Sequence, residues 1–198
     1  MFDVKTPTQN IQNLKFNLPG RHNLSNALIA LAMAVEFGCS PNSLSNALAS
    51  YKGVKRRFTY QIKTDDLIFI DDYAHHPEEI KAVYQAVREM YPNQKVLAIF
   101  QPHLFSRTKD FADEFASSLE KFDSILLLEI YPARELPIEG VNSQWLLDKI
   151  NNSNKKLISK SEIVNEINKS DIKIILTIGA GDIGAEVKNI KENLSVAS

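Results

Sequence analysis

The run Ile174-Ile175-Leu176-Thr177-Ile178 is almost wholly apolar on both of the faces that alternate along a strand. Such a strand is satisfied only inside a sheet covered by further layers on both sides, the usual setting of parallel strands. A second buried run, Lys95-Val96-Leu97-Ala98-Ile99-Phe100, makes the same demand. Around these two, strand and helix periods alternate. Strands are predicted at 58–63, 67–70, 95–100, 124–128, 156–158 and 172–178, and helices at 77–91, 106–121, 143–150, 162–167 and 182–193. Alternation of this kind specifies an α/β fold, a doubly wound and mostly parallel sheet of Rossmann-like type with helices on both faces.

The first part of the chain is different. A strand is predicted at 14–18, stopped by Pro19-Gly20, then a helix with Leu24, Leu28, Leu31 and Val35 at helical spacing and Gly38 past its end. Ser40-Pro41 reads as N-cap and first position of a second, short helix. One strand and two helices are too little to close a core. Residues 1–52 are therefore expected to be the end of a domain whose beginning is absent, and 53–198 a second domain, with the boundary at Lys52-Gly53-Val54-Lys55.

Charge and cysteine usage remove several function classes. The formal net charge is -1, which gives no electrostatic case for a nucleic-acid or anionic-membrane partner. Cys39 is the single cysteine, so no internal disulfide forms and a reducing, cytoplasmic setting is expected. No signal peptide opens the chain, and the most apolar stretch, 27–35, falls far short of the roughly 20 residues a membrane span requires.

In a doubly wound sheet, ligands bind beyond the carboxyl ends of the strands. Three segments follow strands directly. Asp71-Asp72-Tyr73-Ala74-His75-His76-Pro77 packs two carboxylates and two imidazoles into six residues ahead of a helix preset by Pro77. Its histidines are adjacent, so their side chains diverge and no metal site is expected from the pair. Gln101-Pro102-His103-Leu104-Phe105-Ser106-Arg107 places Arg107 at a helix start, where the macrodipole favours anions. An anionic ligand between Arg107 and the helix accounts for it, as does a surface arginine with no partner. Gly179-Ala180-Gly181-Asp182-Ile183-Gly184 has the spacing of a dinucleotide fingerprint. That assignment fails because the acidic residue belongs about 20 positions further on and the chain ends 14 residues after Gly184; a tight strand-to-helix turn is expected instead. Earlier in the chain, His22, Asn23 and Asn26 lie near one face at the start of a helix. A carboxamide matches the edge of an adenine, and helix capping by Asn23 explains the same pattern. No G-x-x-x-x-G-K-[ST] phosphate loop occurs.

Taken in order, these motifs resemble the Mur ligases over nearly the whole chain. His22-Asn23-x-x-Asn26-Ala27 is similar to their adenine-side helix and Gly53-Val54-Lys55-Arg56-Arg57-Phe58 to the entry of their third domain. The Asp71–Pro77 motif resembles the alanine-adding members and their peptide-recycling relatives. Gln101-Pro102-His103-x-x-x-Arg107-Thr108, Glu129-Ile130-Tyr131-Pro132-Ala133 and Gly179-Ala180-Gly181-Asp182-Ile183 resemble the alanine-adding members in particular. Leu104-Phe105 departs from an Arg-Tyr pair common in the family. The resemblance implies ATP-dependent ligation of L-alanine to UDP-N-acetylmuramate through an acyl phosphate, with Mg2+. It further implies partner domains in the same protein, one binding UDP and one carrying the phosphate loop, so that this chain is inactive alone. Carried over by position, Asn23 and Asn26 face adenine with His22 beside them. Arg57 reaches phosphate and Asp72 ribose, while Tyr73, His75, His103 and Arg107 line the place where alanine and the muramate meet. Arg57, Asp72, His75, His103 and Arg107 are thereby the expected catalytic set. Rival expectations are the ligase that recycles a tripeptide onto UDP-N-acetylmuramate, the more distant folylpolyglutamate synthases, and a non-catalytic Rossmann-like module that binds anions through His103 and Arg107.

Overall fold

The computed structural model describes residues 1–6 and 10–196, without the side chains of His22 and Val196. The chain forms two compact units, Met1–Val54 and Lys55–Ser198.

In the first unit an antiparallel pair, β1 (Phe2–Lys5) and β2 (Asn10–Leu14), precedes α1 (Arg21–Glu36) and α2 (Pro41–Ser50). The strand expected at 14–18 therefore ends where it was predicted to begin. Ile11 and Leu14 supply the reason: both are buried with Ala27, Leu31, Leu44 and Leu48, and the partner strand lies opposite 10–14. Ser40 accepts from the Ser43 N–H and Pro41 takes the first helical position of α2, as such a pair should. Among the described residues no helix is long and apolar enough to cross a membrane.

The second unit is a three-layer α/β/α sandwich. Its elements are β3 (Thr59–Lys63), β4 (Ile68–Asp72), α3 (Pro77–Met90), β5 (Val96–Phe100), α4 (Phe105–Asp110), α5 (Ala112–Leu119), β6 (Ser124–Leu127), α6 (Ser143–Lys149), β7 (Lys155–Leu157), α7 (Ile163–Asn168), β8 (Ile174–Ile178) and α8 (Ile183–Val196). The sheet order is β3-β4-β8-β5-β6-β7, parallel except for β3, which runs antiparallel at the edge. Alternate residues of β8 divide between the two cores. Ile174, Leu176 and Ile178 pack with α3, α5 and α6, while Ile175 packs with α7 and α8. Each fully buried Ile or Leu contributes about 1.5–3 kcal/mol and an exposed ion pair at most about 1 kcal/mol, so the sheet rather than the rim holds the unit together. The helix predicted over 106–121 is two helices, because Phe111 (φ -118, ψ 27) leaves the helical region and its ring packs on His76.

Candidate functional site at the strand carboxyl ends

The chain leaves β4, builds α3 and returns as β5, two positions across the sheet with β8 between them. The carboxyl ends of β4, β8 and β5 are thus adjacent, laced by Gly179 N to Asp72 O at 3.1 Å and Gln101 N to Ile178 O at 3.0 Å. Gln101 is buried and its carboxamide is bonded at both ends: Nε2 donates to Asp182 Oδ1 at 2.7 Å and Oε1 accepts from Ile183 N at 2.8 Å. The glycines of 179–184 are explained by neighbours inside the chain. A Cβ on Gly181 would strike Gln101 Oε1 and the Tyr131 ring, and one on Gly184 would lie 2.5 Å from a guanidinium nitrogen of Arg56.

Arg57 is held by both of its neighbours. Arg56 (φ 59) and Phe58 (φ 47) are left-handed without being glycine, a cost borne only where surroundings impose it. The restraint comes from the two adjacent aspartates. Arg56 Nε donates to Asp71 Oδ2 at 2.9 Å and its NH2 to Gly179 O at 2.7 Å. Phe58 N donates to Asp72 Oδ2 at 2.7 Å and Ala74 N to Asp72 Oδ1 at 2.8 Å. Asp72 is only 2% exposed, and burial pushes its carboxyl up to about 6 against those two N–H groups. Both of its oxygens therefore face main chain. The Arg57 side chain, by contrast, is 45% exposed and meets Glu79 at 3.4 Å.

The two histidines part. His76 accepts weakly from Glu78 N, capping α3, and its ring lies 4.7 Å from that of Phe111. His75 turns the other way, its ring 5.4 Å from Tyr73 and 6.1 Å from His103. Nδ1 of His75 sits 3.0 Å from the Tyr73 carbonyl; a carbonyl only accepts, so Nδ1 carries the proton. Glu79 Oε2 accepts from His75 N at 2.9 Å. Burial acts to raise the Glu79 carboxyl, but this bond and the His75 and Arg57 charges hold it below the usual range.

His103 stands on the loop after β5, stacked on Tyr131 from the loop after β6 at 5.6 Å and 24°. The two loops are stitched by Tyr131 N to Pro102 O at 2.8 Å and Leu104 N to Tyr131 O at 2.9 Å, with Leu104 at φ 75. Arg107 reaches Nδ1 of His103 at 3.4 Å, which makes Nδ1 the acceptor and places the proton of the neutral ring on Nε2. Burial, with the positive charges of Arg107 and His75, lowers the His103 pKa. The helix start beside Arg107 has an anion from within the chain: Glu135 accepts from Ser106 N at 2.9 Å and from Ser106 Oγ at 2.5 Å.

Tyr73, His75, His103 and Arg107 thus form a chain of contacts on one rim, with Arg57 joined to it through Glu79. In the first unit, Asn23 Nδ2 donates to Pro19 O at 2.7 Å and Asn26 is exposed. His22 is the second residue of α1; its side chain lies outside the described residues. Arg56, Glu79 and Tyr131 carry no role by sequence alone, although Tyr131 lies in the Glu129–Ala133 motif and Arg56 in Gly53–Phe58.

A doubly wound domain of this kind is of Rossmann-like type, and its imidazole–guanidinium cluster stands at the strand carboxyl ends, where such folds place ligands. A family model, Mur ligase, glutamate ligase domain, matches residues 56–183, and the chain belongs to that family. It is 68% identical over 194 residues to a UDP-N-acetylmuramate–L-alanine ligase of Flavobacterium psychrophilum, covering 98% of this chain and 43% of the relative. The crystal structure of UDP-N-acetylmuramate-alanine ligase MurC from Thermotoga maritima superposes with a TM-score of 0.77 at 28% identity, over 93% of this chain and 40% of that one. A murein peptide ligase of Psychrobacter arcticus shares the fold, with a TM-score of 0.65 at 22% identity over 91% of this chain and 38% of that one. The chain spans less than half the length of these relatives.

Proposed function

We propose that this chain is the C-terminal part of a cytoplasmic ligase that joins L-alanine to UDP-N-acetylmuramate at the expense of ATP in peptidoglycan precursor synthesis. The observation that carries it is the 68% identity to such a ligase along almost the entire chain. Gln101-Pro102-His103 with Arg107, on the rim beside Tyr73 and His75, favours alanine over a recycled tripeptide as the acceptor. The UDP-binding and phosphate-loop domains belong to the remainder of the longer protein, so this chain alone has no ligase activity.

In the reaction, a carboxylate oxygen of the muramate attacks the γ-phosphorus, the bond from that phosphorus to the β-phosphate oxygen breaks, and ADP leaves. The amine of alanine then attacks the acyl carbon, the C–O bond to phosphate breaks, and inorganic phosphate departs. Arg57 is the group offered to the nucleotide phosphates, where charge develops. Asp72 serves the nucleotide side by holding the Arg57 segment, and Asn23 and Asn26, with His22, serve the adenine. Arg107 fits a carboxylate of the acceptor. Burial and the Arg107 charge favour the neutral His103 ring, and because its Nδ1 lone pair accepts from Arg107, its Nε2–H is the group offered to the acceptor. Mg2+ would arrive with the nucleotide. Asp71 and Asp72, engaged within the chain, do not fit as a cage for it, and no step is assigned to this chain through the metal.

The test is phosphate release by the full-length protein given ATP, Mg2+ and UDP-N-acetylmuramate with either L-alanine or L-alanyl-γ-D-glutamyl-meso-diaminopimelate. Release with alanine supports the assignment. Release only with the tripeptide transfers it to the recycling ligase.

A further inference from the structure

Glu79 is the third residue of α3, where an acidic side chain ordinarily complements the helix dipole. Its neighbour Glu78 behaves that way, turned outward and paired with Lys81. Glu79 turns back instead. Its Oε2 accepts from His75 N at 2.9 Å and lies 3.3 Å from His75 Nδ1, while Oε1 meets Arg57 NH1 at 3.4 Å. One carboxylate therefore joins the arginine assigned to the nucleotide phosphates and the histidine assigned to the acceptor.

We propose that Glu79 is a positioning residue that couples the nucleotide side of the site to the acceptor side, a role that rests on the ligase function above. The two halves of its grip differ in strength. The Arg57 pair is long and its arginine 45% exposed, the class of ion pair that exchanges partners readily. The bond from His75 N is short and charge-assisted. A polyphosphate approaching Arg57 competes with Glu79 for the guanidinium and wins on charge. Glu79 then faces His75 alone, gripping its main-chain N–H and setting its full negative charge 3.3 Å from an Nδ1 whose proton goes to the Tyr73 carbonyl. Without nucleotide, Glu79 divides its charge between Arg57 and His75 and holds Arg57 back.

A bridge of this kind has opposite effects at its two ends, which mere structural damage does not. In the full-length protein, Glu79→Gln frees Arg57, and the calorimetric Kd for ATP–Mg2+ tightens about two- to fivefold. The same variant leaves His75 without its carboxylate, and kcat/KM for L-alanine falls about tenfold. In an Arg57→Ala background Glu79→Gln no longer tightens ATP, because there is no guanidinium to release. If ATP affinity and alanine turnover weaken together, or neither moves, the coupling is wrong. If the wild-type protein turns over no alanine, the ligase assignment fails and the coupling fails with it; wild-type turnover alongside a variant without the opposed shifts overturns the coupling alone.

Discussion

Nε of Arg56 lies 2.9 Å from Oδ2 of Asp71, a carboxylate that is 1% exposed, while NH2 of the same guanidinium reaches the Gly179 carbonyl at 2.7 Å. The pair ties the segment that presents Arg57 to the ends of β4 and β8. Removing one partner of a buried pair leaves the other charge uncompensated, at a cost of about 3 kcal/mol or more. Arg56→Ala should therefore lower the melting midpoint of the 55–198 unit by roughly 6–12 °C. Gly184→Ala forces a Cβ onto the same guanidinium, so the two substitutions should be strongly non-additive in urea unfolding, with Gly184→Ala costing less once Arg56 is alanine. Additive costs would show that Gly184 acts elsewhere.

Asp72 imposes a pH dependence of definite sign. Burial raises its carboxyl from 3.8 to about 6 in the folded chain. The folded state then holds the proton more tightly than the unfolded one, so the contribution of Asp72 to stability is greatest below about pH 4 and declines as pH rises to about 6. At about 1.4 kcal/mol per unit the decline is on the order of 3 kcal/mol. Unfolding of wild type and Asp72→Asn at a series of pH values isolates it. The stability difference, wild type minus variant, should fall between pH 4 and 6 and stay level above; a difference that rises with pH would place the carboxyl below its usual range instead.

What could be read from the sequence follows what carries a period. β5 and β8 announce themselves as unbroken apolar runs, and from them the layered, mostly parallel sheet follows. The β1–β2 hairpin did not, because Phe2–Lys5 is four residues of mixed polarity whose strand character comes from its partner. The break at Phe111 depends on a ring finding His76 across the fold, which no local spacing encodes. The site divides in the same way. Strand ends located Tyr73, His75, His103 and Arg107, since topology alone places them on one rim. Arg56 and Arg57 are indistinguishable as letters, and only the left-handed turn decides which is half-buried against Asp71 and which is presented outward. Glu79 looks like any acid at a helix start until its carboxylate is seen to turn back, and Tyr131 acts through a ring stacked on a residue 28 positions earlier, His103.

The His103–Arg107 rim is proposed to receive the alanine acceptor. The most direct measurement is steady-state kinetics of Arg107→Ala in the full-length protein, with each substrate varied in turn. Loss of a guanidinium that fixes a carboxylate should raise KM for L-alanine about tenfold or more, with KM for ATP held within about twofold. An unchanged KM for alanine, or a loss confined to ATP, would contradict the placement of the acceptor on this rim.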